Sequence, residues 1–299
     1  MIGRDLKGYG KDYPVISWPG DALVAVSLVV EFEEGAERSP LYGDDGPEVS
    51  PQPVRPQGSG RAWTIESTFE YGSRRGVWRL MDIFDKHDVK VTFFCSGAAL
   101  EANPQAARSI TQRGHEAAGH GYRWLPSYEL SRDEEKADID RAVQAIQDTS
   151  GQRPVGWHSR APSVHTRKLL ADNGGFLYDS DSYSDDLPYF AQVEGRRFLT
   201  IPHSHDTNDE KFLPAPLVPG FTRPDQFFTT LKGTFDRLYE EGAKNPKMMT
   251  VGLHLRLSGR PPRAAQVDRF IRYAKGFPRV WFPRRVDIAR WWTEHYGDL

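Results

Sequence analysis

Cysteine is nearly missing from this 299-residue chain: the single thiol, Cys95, excludes an internal disulfide framework and a thiolate-rich zinc site. It lies in Val91-Thr92-Phe93-Phe94-Cys95, an apolar setting that suits a buried structural thiol rather than a nucleophile. Long hydrophobic runs are missing too. The longest, Ala22 to Val30, is interrupted by Ser27 and is far too short to span a bilayer. The first residues, Met1-Ile2-Gly3-Arg4-Asp5-Leu6-Lys7, lack the apolar core of a secretory signal, so the expected location is the cytoplasm and no membrane partner is expected. Nor is there an excess of either charge. A net charge of −2, a pI near 6.5 and the lack of basic runs interleaved with aromatics argue against a nucleic-acid partner. No repeat, low-complexity segment or linker divides the chain, which reads as one domain over 1–299.

What is present is an alternation of strand and helix patterns. Residues 1–21, with Gly8, Gly10, Pro14, Pro19 and Gly20, read as an irregular arm packed over the domain. A Val-rich run over 22–32 reads as a strand buried on both faces, and it ends abruptly in Glu31-Phe32-Glu33-Glu34-Gly35. The Gly-, Pro- and acid-rich stretch 36–62 leaves directly from these carboxylates and reads as a lid. Helical spacing follows over 66–86, then a strand over 89–95, a helix over 97–113 and a strand over 116–121. A helix over 132–149 has Ser131 or a neighbour as its cap and Gly151 as its stop. Strands are expected at 155–159, 176–179, 198–202, 248–255 and 280–283, with helices at 165–173, 224–242, 262–276 and 287–296. This order predicts a parallel sheet, and the length suits an α/β fold of the distorted (β/α)7–8 barrel kind.

In such a barrel, reacting groups stand at the C-terminal ends of strands. The predicted ends carry Glu33 and Glu34, His120 to Trp124, His158 to Arg160, Asp179 to Tyr183, His203 to Asp206, and His254 to Arg256. Carboxylates, imidazoles and guanidinium groups converging on one mouth make a hydrolytic site. His120, between two glycines, reads as functional; Arg160 has the alternative of a structural pair with Asp179. Asp185 and Asp186 read as a solvated loop, and His87 and His295 as surface groups.

The stretches Phe32-Glu33-Glu34-Gly35, His120-Gly121-Tyr122-Arg123-Trp124, Arg160-Ala161-Pro162, Asp179-Ser180-Asp181-Ser182-Tyr183 and Leu253-His254 resemble, in order, the motifs of the polysaccharide deacetylase superfamily. The resemblance covers nearly the whole chain and implies the barrel of that type. Further stretches resemble one branch, the metal-independent bacterial allantoinases and cyclic-imide hydrolases. They include Arg4-Asp5-Leu6, Glu70-Tyr71-Gly72-Ser73-Arg74, Asp185-Asp186-Leu187-Pro188-Tyr189, Asp206-Thr207-Asn208-Asp209 and Gly252 to Pro261. The branch also implies a homo-oligomer, and a tetramer in particular.

In the superfamily a Phe-Asp-Asp-Gly stretch supplies a base and a metal ligand, a His-x-x-x-His supplies two more ligands, and a late His is the acid. Here the aspartates are Glu33 and Glu34, and Trp124 stands where the second His belongs. An indole cannot replace that ligand, so unless His158, His205 or His254 swings in, only Glu34 and His120 remain and no metal or other cofactor is expected, zinc being the alternative. Glu33 or Glu34 is then the general base, its pKa raised by its acidic neighbour. Arg160, His120 or the Trp124 indole N–H meets the oxyanion, and His254 protonates the departing nitrogen, its tautomer fixed by Asp179 or Asp181. Tyr71, Trp124, His158, Asp179, Asp181 and Arg256 are the candidate substrate contacts. Glu31-Phe32 stands where the allantoinase pattern has Asn-Tyr, so the implied substrate is a small cyclic amide or imide rather than allantoin in particular. A metal-dependent N-deacetylase acting on an amino sugar or peptidoglycan fragment is the alternative, and a catalytically silent binding protein the second.

Overall fold

Strand β1 (Val24–Phe32) is buried along its whole length, and its alternation sorts side chains between two layers. Val24, Val26, Leu28, Val30 and Phe32 join a large apolar cluster beneath the helices. Ala25 and Val29 join a second cluster inside the curve of the sheet. The same period carries Glu31 onto the inner row, with Glu33 next along it just past the strand. The computed structural model describes residues 5–11, 13–49, 60–213 and 220–299.

The chain continues through α1 (Trp63–Tyr71), α2 (Val77–Lys86), β2 (Thr92–Cys95), α3 (Gly97–Ala102), α4 (Pro104–Gln112), β3 (Glu116–Gly119) and α5 (Arg132–Ser150). Then come β4 (Gly156–Trp157), α6 (Thr166–Asn173), β5 (Tyr178–Asp179), β6 (Tyr189–Val193) and β7 (Arg196–Thr200). The last elements are α7 (Pro224–Gly242), β8 (Lys247–His254), α8 (Pro261–Ala274), β9 (Val280–Trp281) and α9 (Arg285–Tyr296). One sheet has the order β6-β7-β5-β4-β3-β2-β1-β8, with β9 added beside β1. Every pairing is parallel except β6 with β7. This is the α/β barrel that alternation predicts, with its strands curled and one seam left open.

The seam between β8 and the β6–β7 hairpin at the other end of the sheet is filled by irregular chain. The Gly252 amide donates to the Thr207 carbonyl at 3.0 Å, Thr250 Oγ1 to the Pro202 carbonyl at 2.9 Å, and the Met248 amide to the Asp186 carbonyl at 3.0 Å. Arg285, fully buried at the start of α9, donates to the carbonyls of Ile201 and Pro202 at 2.8 and 3.0 Å and to Thr250 Oγ1 at 2.8 Å. One guanidinium thus binds both lips of the seam. At the barrel floor, Glu116 accepts the Val286 amide of the first turn of α9 at 2.9 Å, a carboxylate at a helix N-terminus. Trp18 from the arm and Trp292 from α9 complete that floor, so the C-terminal helix closes the barrel.

The structure departs from the sequence reading at three elements. The expected helix 66–86 is two helices joined by a single π turn, Gly72–Gly76, because Gly72 and Gly76 pack against Glu34 and the Leu255 carbonyl with no room for a Cβ. The expected helix 97–113 breaks at Asn103-Pro104; Pro104 opens α4 and the Asn103 side chain accepts the Ala106 amide at 3.2 Å. Strand β6 has no counterpart among the expected elements, though the turn to β7, Glu194-Gly195 at φ 47° and 78°, is a two-residue hairpin signal. Helix α5 keeps its expected limits, with a Ser131/Glu134 capping box and Gly151 in the left-handed region. Arg4 and residues 50–59 of the expected lid lie outside the described residues. Among the described residues no helix is long and apolar enough to cross a membrane.

Candidate active site

The two glutamates after β1 are held differently. Glu34 turns back on the chain: its carboxylate accepts the amides of Glu33 and Arg256, both at 3.1 Å, and is buried beside Gly72. Glu33 points into the barrel mouth. One oxygen is ion-paired with Arg256 Nη1, and the other lies 3.4 Å from His120 Nε2 and 3.6 Å from His254 Nε2. Arg256, expected to contact substrate, instead serves these carboxylates, its guanidinium lying 4.4 Å from the Phe69 ring centre and 5.0 Å from that of Trp124.

These surroundings separate the carboxylate pKa values. Burial, aided by the nearby Glu33 charge, pushes Glu34 up to about 7. Burial also opposes ionisation of Glu33, but Arg256 and then His254 outweigh it and hold Glu33 well below the usual carboxylate range. The raised pKa therefore belongs to the glutamate whose oxygens are tied to backbone amides.

His254 ends β8. Its Nδ1–H donates to Asp209 at 2.7 Å, and Asp209 also accepts the amides of His254 and Ser258 at 2.9 and 3.0 Å. This corrects the expectation that Asp179 or Asp181 orients the ring. Asp179 is ion-paired with Arg167 at 2.6 Å, and Asp181 accepts from His158 Nδ1 at 3.0 Å and from the Ser159 amide at 2.7 Å. Burial works against a charged His254, but the Glu33 and Asp209 carboxylates raise its pKa to about 10. It is an imidazolium at neutral pH.

His120 donates from Nδ1 to the His158 carbonyl at 2.6 Å, which leaves Nε2 facing the carboxylates. Burial disfavours its charged form, yet Glu33 and Glu31 raise its pKa. Behind it, His158 stacks between His120 and His203 at ring separations of 5.4 and 4.9 Å. His203 Nε2 lies 3.4 Å from Glu31. The sequence reading placed His203 at a strand end without giving it a role, and assigned none to Glu31 or Asp209. Strand parity was the available signal for Glu31, since residues two apart share a face.

Other expected site residues lie elsewhere. Arg160 donates to Glu48 at 2.8 Å and to the Trp124 carbonyl at 3.0 Å, with its guanidinium over the Trp124 ring, so it clamps the loop after Gly35 rather than meeting an oxyanion. Arg123 ties down the same loop through the carbonyls of Ala36 and Glu37, at 3.0 and 2.9 Å. Tyr71 lies under Arg260 and accepts from Arg79 at 2.8 Å; its neighbour Gly72, not its ring, meets Glu34. Glu31, His120, His158 and His203 are only 2 to 7% exposed beneath this cover.

The metal position that the superfamily resemblance implies does not suit an ion here. Glu34 spends its oxygens on backbone amides, and Trp124 packs its indole between Phe69 and two guanidinium groups. Neither presents a lone pair beside His120.

A barrel whose strand mouth gathers a carboxylate, an oriented imidazolium and a second imidazole has the architecture of a hydrolase. Comparison with known proteins agrees. Residues 57–172 match the polysaccharide deacetylase family. A Schizosaccharomyces pombe protein carrying the polysaccharide deacetylase name is 38% identical over 97% of each chain. Among solved structures, a Pseudomonas aeruginosa PAO1 protein of the same name is 44% identical, with a TM-score of 0.93 over 99% of both chains. PuuE allantoinase is 43% identical, with a TM-score of 0.92 over 99% of both chains. The chain belongs to the polysaccharide deacetylase family.

Proposed function

We propose that this protein hydrolyses a ring C–N bond of a small cyclic amide or imide. The observation that carries the reading is the position of Glu33, between His120 and the Asp209-oriented His254, in a mouth where Trp124 and a backbone-tied Glu34 occupy the family's metal-ligand positions. Likeness to PuuE allantoinase over 99% of both chains supports it.

Water beside the free Glu33 oxygen loses a proton to that carboxylate as it attacks the ring carbonyl. A carboxylate with a depressed pKa is permanently ionised but a weak base, which suits an imide or hydantoin carbonyl better than an unactivated acetamide. His254, protonated at neutral pH, delivers its Nε2 proton to the departing ring nitrogen as the C–N bond breaks. His120 lies close enough to both groups to donate to the oxyanion. The clamped loop over the mouth favours a compact substrate over a polysaccharide strand.

The test is ring opening of succinimide, dihydrouracil, hydantoin and allantoin side by side, with an N-acetylated chito-oligosaccharide as comparison and metal content measured on the same sample. Turnover of a ring substrate supports the reading. Acetate release from the oligosaccharide with no ring opening would replace it by an N-deacetylase, and binding without turnover by a silent binding protein.

A further inference from the structure

Behind the proposed reaction centre lies a group that the reaction does not use. Glu31 is buried on the inner face of β1, and neither of its carboxylate oxygens has an aligned hydrogen-bond donor among the described residues. It faces His203 Nε2 at 3.4 Å and His120 Nε2 at 3.9 Å, ion-pair distances without hydrogen-bond alignment. A buried carboxylate without an aligned hydrogen bond is costly for a core to hold.

The neighbouring charges are committed elsewhere. Arg256 faces Glu33 and Glu34, His254 lies between Asp209 and Glu33, and Arg167 pairs with Asp179. Arg285 turns both Nη groups to carbonyls and a hydroxyl of the seam. Glu31 is left with imidazoles alone, those of His120, His158 and His203.

One of the imidazoles around it is already arranged as a ligand. His158 donates its Nδ1–H to Asp181 at 3.0 Å, which leaves the Nε2 lone pair unprotonated in the neutral ring. A carboxylate behind a histidine in this way orients the ring and raises its basicity toward a metal. His203 Nε2 is buried without an aligned partner, and its Nδ1 lies 2.8 Å from the Ser204 amide and 3.2 Å from the Ser204 carbonyl. Because the Ser204 amide donates to Nδ1, the metal-free ring carries its proton on Nε2, facing Glu31; ligation moves that proton to Nδ1, where the Ser204 carbonyl can accept it. Ligand atoms of Glu31, His158 and His203 all lie within 4.8 Å of one another, which shifts of well under 1 Å per group would bring to bonding distance of about 2.0–2.2 Å around one ion.

We propose that Glu31, His158 and His203 form a binding site for a divalent transition-metal ion, zinc or its cobalt substitute. The site lies deeper in the barrel than the family's ligand positions at Glu34 and Trp124. Two imidazoles and one carboxylate form the ligand class of open zinc sites, and they favour first-row transition metals over magnesium or calcium. The ion would neutralise Glu31. Because Glu31 also shares a cluster with Glu33 and His120, the site borders the proposed reaction centre without using its base.

Metal binding is read directly, so the outcome is independent of which substrate is turned over. The protein is stripped with a chelator, reloaded with zinc or cobalt(II), desalted, and assayed for metal by mass spectrometry and for cobalt by visible absorption. The wild type is expected to retain about one equivalent, with the spectrum of a four- or five-coordinate cobalt site. Glu31→Gln and His203→Gln should each lower affinity at least tenfold, and Asp181→Asn, through the orientation of His158, about tenfold. Glu33→Gln should keep the metal. Zinc should raise the melting temperature of the wild type and not of Glu31→Gln. Without metal, Glu31→Gln should still melt cooperatively, which checks that the variant folds. No retained metal in the wild type would overturn the proposal. So would retention unchanged in Glu31→Gln and His203→Gln, or loss with His120→Gln alone, which would put the ion at the family's position.

Discussion

Asp209 Oδ1 lies 2.7 Å from His254 Nδ1, with the opposite ring nitrogen turned toward Glu33. That contact gives His254 a fixed tautomer, a raised pKa and a direction. Asp209→Asn keeps an acceptor for Nδ1–H but removes the charge. Its kcat/KM for ring opening is expected to fall by about 10²-fold or more, and the alkaline limb of the pH profile to move to lower pH.

Glu33 and Glu34 should separate cleanly by mutation. Glu33→Gln is expected to lose about 10²- to 10⁴-fold in kcat, whereas Glu34→Gln, whose carboxylate is closed off by the Glu33 and Arg256 amides, loses no more than about tenfold. Comparable losses in both variants, measured on one ring substrate, would remove the distinction.

Glu34 also makes stability depend on pH. Its pKa rises from an ordinary 4.5 to about 7 in the folded chain, so the native state holds this proton more tightly than the unfolded state. Its contribution is complete below pH 4.5 and is lost as the pH rises through 7. His254 acts over the next window: its contribution is complete below pH 6.5 and is lost as the pH rises through 10. Urea midpoints across both windows should decline in the wild type, with the first decline flattened in Glu34→Gln and the second in His254→Asn.

Arg256→Met should leave Glu33 and Glu34 without their shared cation and cost about 3–5 kcal/mol. Arg285→Met would strand the carbonyls of Ile201 and Pro202 at the barrel seam, at about 1–3 kcal/mol for each unsatisfied group. Chemical denaturation measures both, and an effect below about 1 kcal/mol at either position would contradict its role.

Two helical glycines should respond with opposite sign to alanine. At Gly72 a Cβ would fall 2.4 Å from Glu34 Oε1 and 2.8 Å from the Arg256 amide nitrogen, so Gly72→Ala is expected to cost about 1–3 kcal/mol and to lower turnover. At Gly233, inside α7, a Cβ meets nothing within 4 Å, and Gly233→Ala should stabilise by about 1 kcal/mol. Thermal melts of the two variants give both signs.

Much of the architecture was legible because it rests on local chemistry. Val-rich β1, the Ser131 cap and Gly151 stop of α5, and the run of alternating strands and helices all follow from side-chain period and end signals that one segment carries by itself. The split of the first long helix was not legible, because Gly72 and Gly76 answer to Glu34 and Leu255, far away in sequence. Pro104 was a local signal and was overlooked.

At the mouth, the sequence alone determined which strand ends carry ionisable groups and, through Trp124, that one family ligand is lost. Only the tertiary structure decided how those groups are shared out. It set Asp209 rather than Asp179 behind His254, gave Arg160 to Glu48, turned Glu34 onto backbone amides, and stacked His158 and His203 toward Glu31. The reason is physical: a residue type sets what a side chain can donate, accept or ionise, but partners, burial and pKa depend on distances of a few ångströms between segments up to 223 residues apart, as with Glu33 and Arg256.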